Sequence, residues 1–470
     1  MNRSIVSMLV ATFVLRISTA ITGGMLVFFV NDLTKGSGGG QGPIAILHGG
    51  FYATELTGAI FFGILADRYG RKVIMVLGPL FGSVAVLMTA MTTMMPVLFV
   101  TRLLEGSSTA ASIPSTLGFI AAETADDEVL RGRVVSTFEL VSLGGMLAIG
   151  PALSGVLWDA FGRPAFFLNC GFYLVALVLY AYGVSEAPPA KRAVISTREE
   201  GRAGGELSRY WRMATSRTVL LFAPTWLAIN AILGLWAAHA PLLLTGNKHD
   251  SGQFLMQGAS PTAIGLGEAV FAVFFGLGLV FWGAVYARFR RTTMLLWGLA
   301  AFVVMAVDIL AINHLGGVSV VLLCVLVGIG LVALFVLSGA TPAALGLLAD
   351  VSEGFNEDRS AIMGLYSVFL GLGQVLGALI GGLAAWWNGI DGLVVATGGL
   401  LVIGLAALLN LRSQEAAGQV GSPLKATSDA TSVVPADLAR SARATLESAA
   451  GVGPRPAQAP RADPPAKEER

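Results

Sequence analysis

Twelve apolar runs, each about as long as a membrane-spanning helix, constrain the fold of this chain most. A helix needs roughly 20 apolar residues to cross the hydrocarbon core of a bilayer. Apolar residues make up 55% of the 470 residues, and charged residues make up 13%. The runs cover residues 5–30, 45–66, 73–94, 97–121, 134–158, 165–184, 219–244, 263–287, 293–312, 318–345, 361–386 and 392–410. The sequence therefore predicts an all-α membrane protein with twelve transmembrane helices.

The Lys and Arg residues between the runs predict the orientation. With the N-terminus inside, eighteen of them fall in the inside segments before residue 413, and three fall outside, at Lys35, Arg163 and Lys248. Basic loops remain on the cytoplasmic side of a membrane. We therefore expect a multi-pass protein of the cell membrane (plasma or inner membrane), with both termini in the cytoplasm. The first run is too long for the apolar part of a signal peptide and has Arg16 at its centre, so it is assigned as a helix.

Two segments are not apolar enough to lie in a membrane. Residues 185–217 carry seven Lys or Arg and four Glu, and they join the first six runs to the last six. Residues 412–470 contain seven prolines and have no apolar periodicity, which is typical of a disordered segment. The predicted regions are an N-terminal six-helix bundle at 1–184, a cytoplasmic linker at 185–217, a C-terminal six-helix bundle at 218–412 and a disordered cytoplasmic tail at 413–470.

Several functional classes are disfavoured. The net charge of +1 does not indicate nucleic acid as a partner. Cys170 and Cys324 both lie in apolar runs and predict neither a disulfide framework nor a metal site. The sequence has no Walker-type phosphate loop, no metal-ligand spacing and no nucleophile arrangement. We therefore expect no cofactor and no metal, and neither an ATP-driven pump nor an enzyme.

A charged turn joins the second and third runs. Residues 63–72 read Gly-Ile-Leu-Ala-Asp-Arg-Tyr-Gly-Arg-Lys. This segment resembles the signature loop between helices 2 and 3 of the major facilitator superfamily of secondary transporters. The matching positions are Gly63, Asp67, Arg68, Gly70, Arg71 and Lys72. The resemblance implies a gate, in which Asp67 pairs with arginines in one state and separates from them in another. A plain topology signal is the alternative interpretation.

Two further segments resemble motifs of the same family. Arg102, four residues before Gly106, resembles the pattern of the family's helix 4, where that arginine is linked to proton coupling. Snorkelling of Arg102 to the outer surface is the alternative. The segment that contains Gly150, Pro151 and Gly155 resembles the core of a helix 5 motif associated with antiporters. The match is partial, because Ser142 and Met146 stand where the family pattern has two more glycines.

The two halves of the chain repeat each other. Gly63 and Arg68 correspond to Gly283 and Arg288 at an offset of 220 residues. Near helices 5 and 11 the offset is 227, and Gly150 and Gly155 correspond to Gly377 and Gly382. Two parallel six-helix halves fit a transporter with a binding site at their interface.

Charged residues inside the apolar runs are candidates for proton coupling. Arg16 and Glu55 lie at similar depths, roughly 16 and 18 Å from the cytoplasmic ends of helices 1 and 2, so they are predicted to pair. A static salt bridge and a titratable site near the cavity both remain open. Glu105 is the better candidate for a proton carrier, because Glu139 is only a turn or two from the cytoplasmic face and could simply be hydrated.

The second half supplies polar or aromatic candidates for the substrate cavity: Asn230, Trp236, Glu268, Tyr366 and Gln374. The resemblance implies that helices 1, 4, 7 and 10 line this cavity. Because the second half has few charges, an amphipathic or hydrophobic substrate fits better than a sugar. A lone histidine near a membrane edge, such as His239, is more often an interfacial residue than a proton relay.

The resemblance covers residues 1–412 and implies two pseudo-symmetric six-helix bundles with alternating access. It implies a secondary active transporter of a small, amphipathic or hydrophobic molecule, in the manner of the drug/proton antiporter-type branch, with proton-coupled efflux. Proton-coupled uptake of a metabolite is the alternative, and a transporter-like sensor or scaffold is a further one. The expected partners are the small-molecule substrate, protons and the lipid bilayer, and the chain is expected to be a monomer.

Overall fold

The chain is helical throughout the described residues. The computed structural model describes residues 2–34, 40–124, 127–185, 217–246, 252–285, 288–352 and 359–416, and no strand occurs within these ranges. Most of the predicted linker and tail falls outside the described residues. The bounds of the four predicted regions therefore remain predictions.

The first half contains six helical spans. They are α1 Arg3–Thr34, α2 Gln41–Tyr69, α3 Arg71–Met91, α4 Met95–Glu123, α5 from Glu128 to Phe161, and α6 from Ala165 to Gly183. Within α5, the stretch Gly144–Ile149 is π-helical. It ends two residues before Pro151, which has no N–H to donate and whose ring crowds the preceding turn.

The second half contains the other six spans. They are α7 Arg217–Leu244, α8 Pro261–Val285, α9 Arg291–Leu315, α10 Val320–Leu337 continued by Ala340–Ser352, and α11 and α12, which together form Arg359–Ala416. Helix α11 ends and α12 begins at Asn388 and Gly389, whose φ angles are −146° and +59°. Gly389 tolerates the positive φ because it has no Cβ. The predicted twelve-helix fold is confirmed.

The composition of the helices is not uniform. Nine segments of the described residues are long and apolar enough to span a membrane, and one of them, Val368–Glu415, contains the turn between α11 and α12. Helix α4 is not among the nine, because charged side chains such as Arg102 and Glu105 lower its hydropathy. The other polar helix of the first half is α2, which contains Glu55. These two helices pack against each other, and α4 packs against the apolar α3. The two most polar helices of the first half therefore lie side by side.

Each half has its own hydrophobic core. Phe119, Phe166 and Tyr173 are among the largest fully buried side chains of the first half, and Phe222 and Trp226 are among those of the second. The halves meet where α2 packs on α11 and where α5 packs on α8. These two interfaces are equivalent under the internal repeat.

Glycines make equivalent contacts at the two interfaces. A Cβ added at Gly155 of α5 would lie 2.1 Å from the carbonyl oxygen of Pro261 in α8. A Cβ added at Gly382 of α11 would lie 2.8 Å from the Cβ of Ala45 and 3.5 Å from the carbonyl oxygen of Gln41 in α2. Gly155 and Gly382 are the pair that the 227-residue offset aligns. The sequence repeat thus corresponds to a structural one.

The bundle has two ends, which we name by the linker. At the linker end, α6 finishes beside the start of α1, and the amide of Ser185 donates to Ser4 Oγ at 3.1 Å. At the far end, the loop after α5 contacts the last turn of α3, where Arg163 Nε donates to the carbonyl of Ala90 at 2.8 Å. We use these two terms without reference to a side of the membrane.

The predicted orientation places the far end outside the cell. We expect cysteines introduced as Ser37→Cys and Lys248→Cys to react with a membrane-impermeant thiol reagent in intact cells. Cysteines introduced as Ile195→Cys and Ala430→Cys should react only after the membrane is permeabilised. Labelling at position 195 in intact cells would reverse the orientation that the 18 to 3 charge bias predicts.

Candidate functional site

A buried ion pair lies inside the first half, on α4. Arg102 and Glu105 are one helical turn apart, and their side chains form a salt bridge while only 5% and 1% exposed. The guanidinium of Arg102 also stacks over the ring of Phe51 on α2, 4.5 Å from its centroid. Helices α2 and α4 approach closely because Gly106 has no side chain: a Cβ there would lie 2.4 Å from the carbonyl oxygen of Phe51. Arg102 therefore faces a partner rather than the surface.

Glu105 has a second partner on α6. The hydroxyl of Tyr173 donates to Glu105 Oε1 at 2.9 Å and lies 3.3 Å from Thr19 Oγ1 of α1. Tyr173 fits because Gly82 of α3 leaves space for its ring, which would lie 2.1 Å from an added Cβ. The carboxylate of Glu105 thus joins α4 to α6 and, through Tyr173, to α1.

Arg16 and Glu55 lie near each other without touching. Both belong to the described residues, and no direct ion pair joins them there; Arg16 Nη1 instead lies 3.9 Å from Met146 Sδ on α5. The charges of Arg16 and Arg102 both act on Glu55, and Arg16 also acts on Glu139. The expected direct pairing is therefore replaced by a longer-range interaction between α1 and α2, and the side chain of Glu139 on α5 is exposed.

The charged segment between α2 and α3 forms the expected tight turn. Helix α2 ends at Tyr69, Gly70 has a φ of +114°, and α3 begins at Arg71. A side chain other than glycine would be strained at this φ. Arg71 runs along α4, where a Cβ added at Gly118 would lie 3.0 Å from its Nε. The side chain of Asp67 lies outside the described residues, so its pairing with Arg71 remains a prediction.

The helix 5 motif lies at the interface between the halves. Gly150 packs on α1, where an added Cβ would lie 2.3 Å from the Cβ of Ala20. The carbonyl oxygen of Pro151 would lie 2.3 Å from a Cβ added at Gly265 of α8. Together with Gly155, these residues let the backbones of α5 and α8 come into direct contact. The motif therefore forms part of the contact between the two halves.

Among the second-half candidates, Asn230 and Gln374 lie at the contact between α7 and α11, where a Cβ added at Gly373 would lie 2.5 Å from the Cβ of Asn230. Trp236 Nε1 donates to Thr397 Oγ1 of α12 at 3.0 Å, and Asn230 Nδ2 donates to the carbonyl of Trp226 at 2.8 Å, so both side chains bond within their own half. Gln374 on α11 packs against Gly234 of α7. Glu268 is half-buried on α8. The side chain of Tyr366 lies outside the described residues.

Comparison with known proteins identifies the family. The sequence model of the Major Facilitator Superfamily matches residues 8–256 and 251–448. The chain belongs to the Major Facilitator Superfamily. Its multi-pass membrane topology and its two six-helix halves are those of this family.

The chain resembles multidrug resistance proteins of the family. It is 32% identical over 129 residues to multidrug resistance protein 1 of Bacillus subtilis, a match that covers 27% of this chain and 32% of that protein. It is 28% identical over 182 residues to the multi-drug resistance efflux pump PmrA of Streptococcus pneumoniae, covering 37% of this chain and 45% of the pump. Both matches span less than half of the relative's length.

Solved transporter structures share the fold of this superfamily member. The crystal structure of a mutant of the nucleoside transporter NupG superimposes with a TM-score of 0.66 at 11% identity, covering 86% of this chain and 99% of that one. The D-xylose-proton symporter superimposes with a TM-score of 0.63 at 15% identity, covering 87% and 96%. At these identities the likeness shows the fold alone.

Sequence reasoning missed several polar residues around the superfamily motifs. Tyr173 and Asn169 lie in the sixth apolar run, and Asn169 Nδ2 donates to the carbonyl of Ser18 at 3.0 Å and to Thr22 Oγ1 at 2.8 Å. His48 and Tyr52 lie on α2 with their rings 5.1 Å apart. The sequence could have indicated these residues, because they are polar side chains inside apolar runs, and polar groups inside a membrane protein need partners.

Proposed function

We propose that this chain is a secondary active transporter that exports a small amphipathic or hydrophobic molecule in exchange for protons, by alternating access. The observation that carries the proposal is the buried Arg102–Glu105 pair with its hydrogen bond from Tyr173. A charge pair inside a membrane protein is costly and is retained for substrate or ion movement. The names of the multidrug resistance relatives support efflux of an amphipathic substrate.

Glu105 is the proton carrier in this proposal. When a proton binds to Glu105, the carboxylate loses its charge and the salt bridge to Arg102 loses its electrostatic attraction. Arg102 is then a buried cation, and the charge of Glu55 on α2 also acts on it. A shift of Arg102 from Glu105 toward Glu55 changes the contact between α4 and α2. Loss of the proton restores the original pair.

Such a shift links protonation to the position of the two halves. Helix α2 carries Glu55 and also packs on α11 of the second half, where Leu56 contacts Gly371. A change in the α2–α4 contact is therefore transmitted to the interface between the halves. A substrate that favours one arrangement of the halves then exchanges with the proton that favours the other.

Purified protein in liposomes tests the proposal. Ethidium is the probe, and an imposed pH gradient is the driving force. We expect ethidium to move against its concentration gradient in exchange for protons, with the internal pH followed by pyranine. Movement in the same direction as protons would support uptake instead. Saturable ethidium binding with no flux would support the sensor or scaffold alternative. If ethidium is neither bound nor transported, this substrate class is excluded.

A further inference from the structure

We infer that His239 on α7 is a gate residue, meaning a residue whose contact closes one end of the bundle. Its ring joins α2 of the first half to α11 of the second at the far end. The inference rests on alternating access within the proposed function, because that cycle requires the far end to open and close. No sequence motif points to this histidine.

Two hydrogen bonds fix the ring of His239. Its Nδ1 lies 2.8 Å from Gln41 Oε1 at the start of α2, and its Nε2 lies 2.8 Å from the carbonyl oxygen of Ala378 on α11. The side chain of His239 is fully buried. Because a carbonyl oxygen only accepts, Nε2 carries a hydrogen and donates to Ala378. The bond through Nδ1 is the one that crosses between the halves.

The Gln41 amide suits both protonation states of the imidazole. A protonated ring donates through Nδ1 to the amide oxygen, and a neutral ring accepts at Nδ1 from the amide NH₂ after the amide turns over. The contact between the halves therefore persists whether or not His239 holds a second proton. A glutamine at this position therefore gives a closing contact that does not depend on the charge of the histidine.

Glycines on α11 make room for the ring. A Cβ added at Gly381 would lie 2.6 Å from His239 Cδ2, and one added at Gly382 would lie 3.5 Å from His239 Cε1. Gly382 also faces Ala45 of α2. The histidine is thus enclosed between α2, α7 and α11, and water reaches it only when these helices separate.

The equivalent interface has a different closing contact. Asp159, near the end of α5, accepts from the backbone N–H of Thr262 in the first turn of α8, with Oδ2 2.8 Å from the nitrogen. A carboxylate at a helix N-terminus is favourable for both the free N–H groups and the helix dipole. At the far end, each of the two interfaces therefore has a hydrogen bond that joins the halves. The Asp159 bond uses a backbone N–H of α8, whereas the His239 bond joins two side chains, one from each half.

These contacts must break whenever the far end opens. Separation of α2 from α7 removes the Gln41 amide from His239 Nδ1, and both groups then bond to water instead. A hydrogen bond of this kind shifts an equilibrium between two states by roughly three- to tenfold. Loss of the His239–Gln41 bond should raise the far-end-open population by the same factor.

Thiol labelling of the purified protein in detergent tests the inference without substrate or proton gradient. The background is Cys170→Ala with Cys324→Ala, and the reporter is Leu242→Cys, which replaces a fully buried side chain packed against Gly40 at the start of α2. We expect His239→Ala and Gln41→Ala each to accelerate maleimide labelling of the reporter roughly three- to tenfold. The double variant should be no faster than the single ones, because both remove one bond.

Two controls separate gating from a loss of structure. His314→Ala removes a histidine whose partner, Asp391, lies in its own half, so the labelling rate should not change. A second reporter, Leu299→Cys, lies in the core of the second half and should stay slow in every variant that remains folded. Unchanged labelling of the Leu242→Cys reporter in both His239→Ala and Gln41→Ala, or faster labelling of both reporters together, would overturn the inference. Because no transport is measured, this result is independent of whether ethidium is exported.

Discussion

Glu105→Ala should lower the free energy of unfolding by about 3–5 kcal/mol, because it leaves the buried guanidinium of Arg102 without its carboxylate. Arg102 is only 4% exposed, and its other contact is with the ring of Phe51. The double variant Arg102→Leu/Glu105→Ala should recover most of that loss, since neither charge is then buried. Denaturation of the purified protein in mixed micelles, followed by tryptophan fluorescence, measures both values.

A neighbouring pair of charges provides the comparison. Arg16 and Glu55 interact at longer range and without a direct ion pair, so a double-mutant cycle on them should give a smaller coupling energy than the cycle on Arg102 and Glu105. Glu139→Ala, at an exposed side chain of α5, should change stability by less than about 0.5 kcal/mol. Equal coupling energies in the two cycles would mean that the direct Arg102–Glu105 contact stabilises the protein no more than the longer-range interaction of Arg16 with Glu55.

The same pair gives a functional result. Glu105→Gln keeps the size of the side chain and the capacity to accept from Tyr173, but it cannot exchange a proton. We expect transport driven by a pH gradient to be lost, because the variant has no carboxyl group at this position to carry the proton. Exchange of ethidium across the membrane without a pH gradient should continue. If the Glu105→Gln variant transports at the full rate when a pH gradient drives it, then another carboxylate exchanges the proton.

Gly155→Ala should lower transport by roughly tenfold or more, because its Cβ would lie 2.1 Å from a backbone oxygen of Pro261 and 2.9 Å from the Cα of Thr262. Backbone atoms cannot rotate away as the end of a side chain can. The substitution therefore forces α5 and α8 apart at the interface between the halves. It should leave the two cores intact, so we expect folded protein with slower transport and faster labelling of the Leu242→Cys reporter.

A glycine in open space provides the control for this substitution. No atom lies within 4 Å of a Cβ added at Gly23 of α1 or Gly171 of α6. Alanine at these helical positions should be neutral or stabilising by up to about 1 kcal/mol, because glycine is the poorer helix former. Equal losses of transport in Gly155→Ala and Gly171→Ala would show that the effect comes from the helices themselves and not from the contact between the halves.

The fold could be predicted from the sequence because bilayer spans leave a strong signal. Each apolar run is long enough for a helix, and the weak repeat at 220 and 227 residues already aligned Gly155 with Gly382. The π-helical stretch before Pro151 and the turn at Gly389 follow from local chemistry too, since proline removes a donor and glycine accepts a positive φ.

The sequence by itself determined the family, the number of helices and which carboxylates and arginines lie inside apolar runs. Only the tertiary structure decided which of these charges meet. Arg102 and Glu105 pair because they are one turn apart on the same helix, whereas Arg16 and Glu55 depend on the rotation of two separate helices, which hydropathy does not fix. The contacts of Tyr173 with Glu105 and of His239 with Gln41 join residues 68 and 198 positions apart. Such contacts depend on how the helices are packed, because a single helix sets only the spacing of side chains on its own surface.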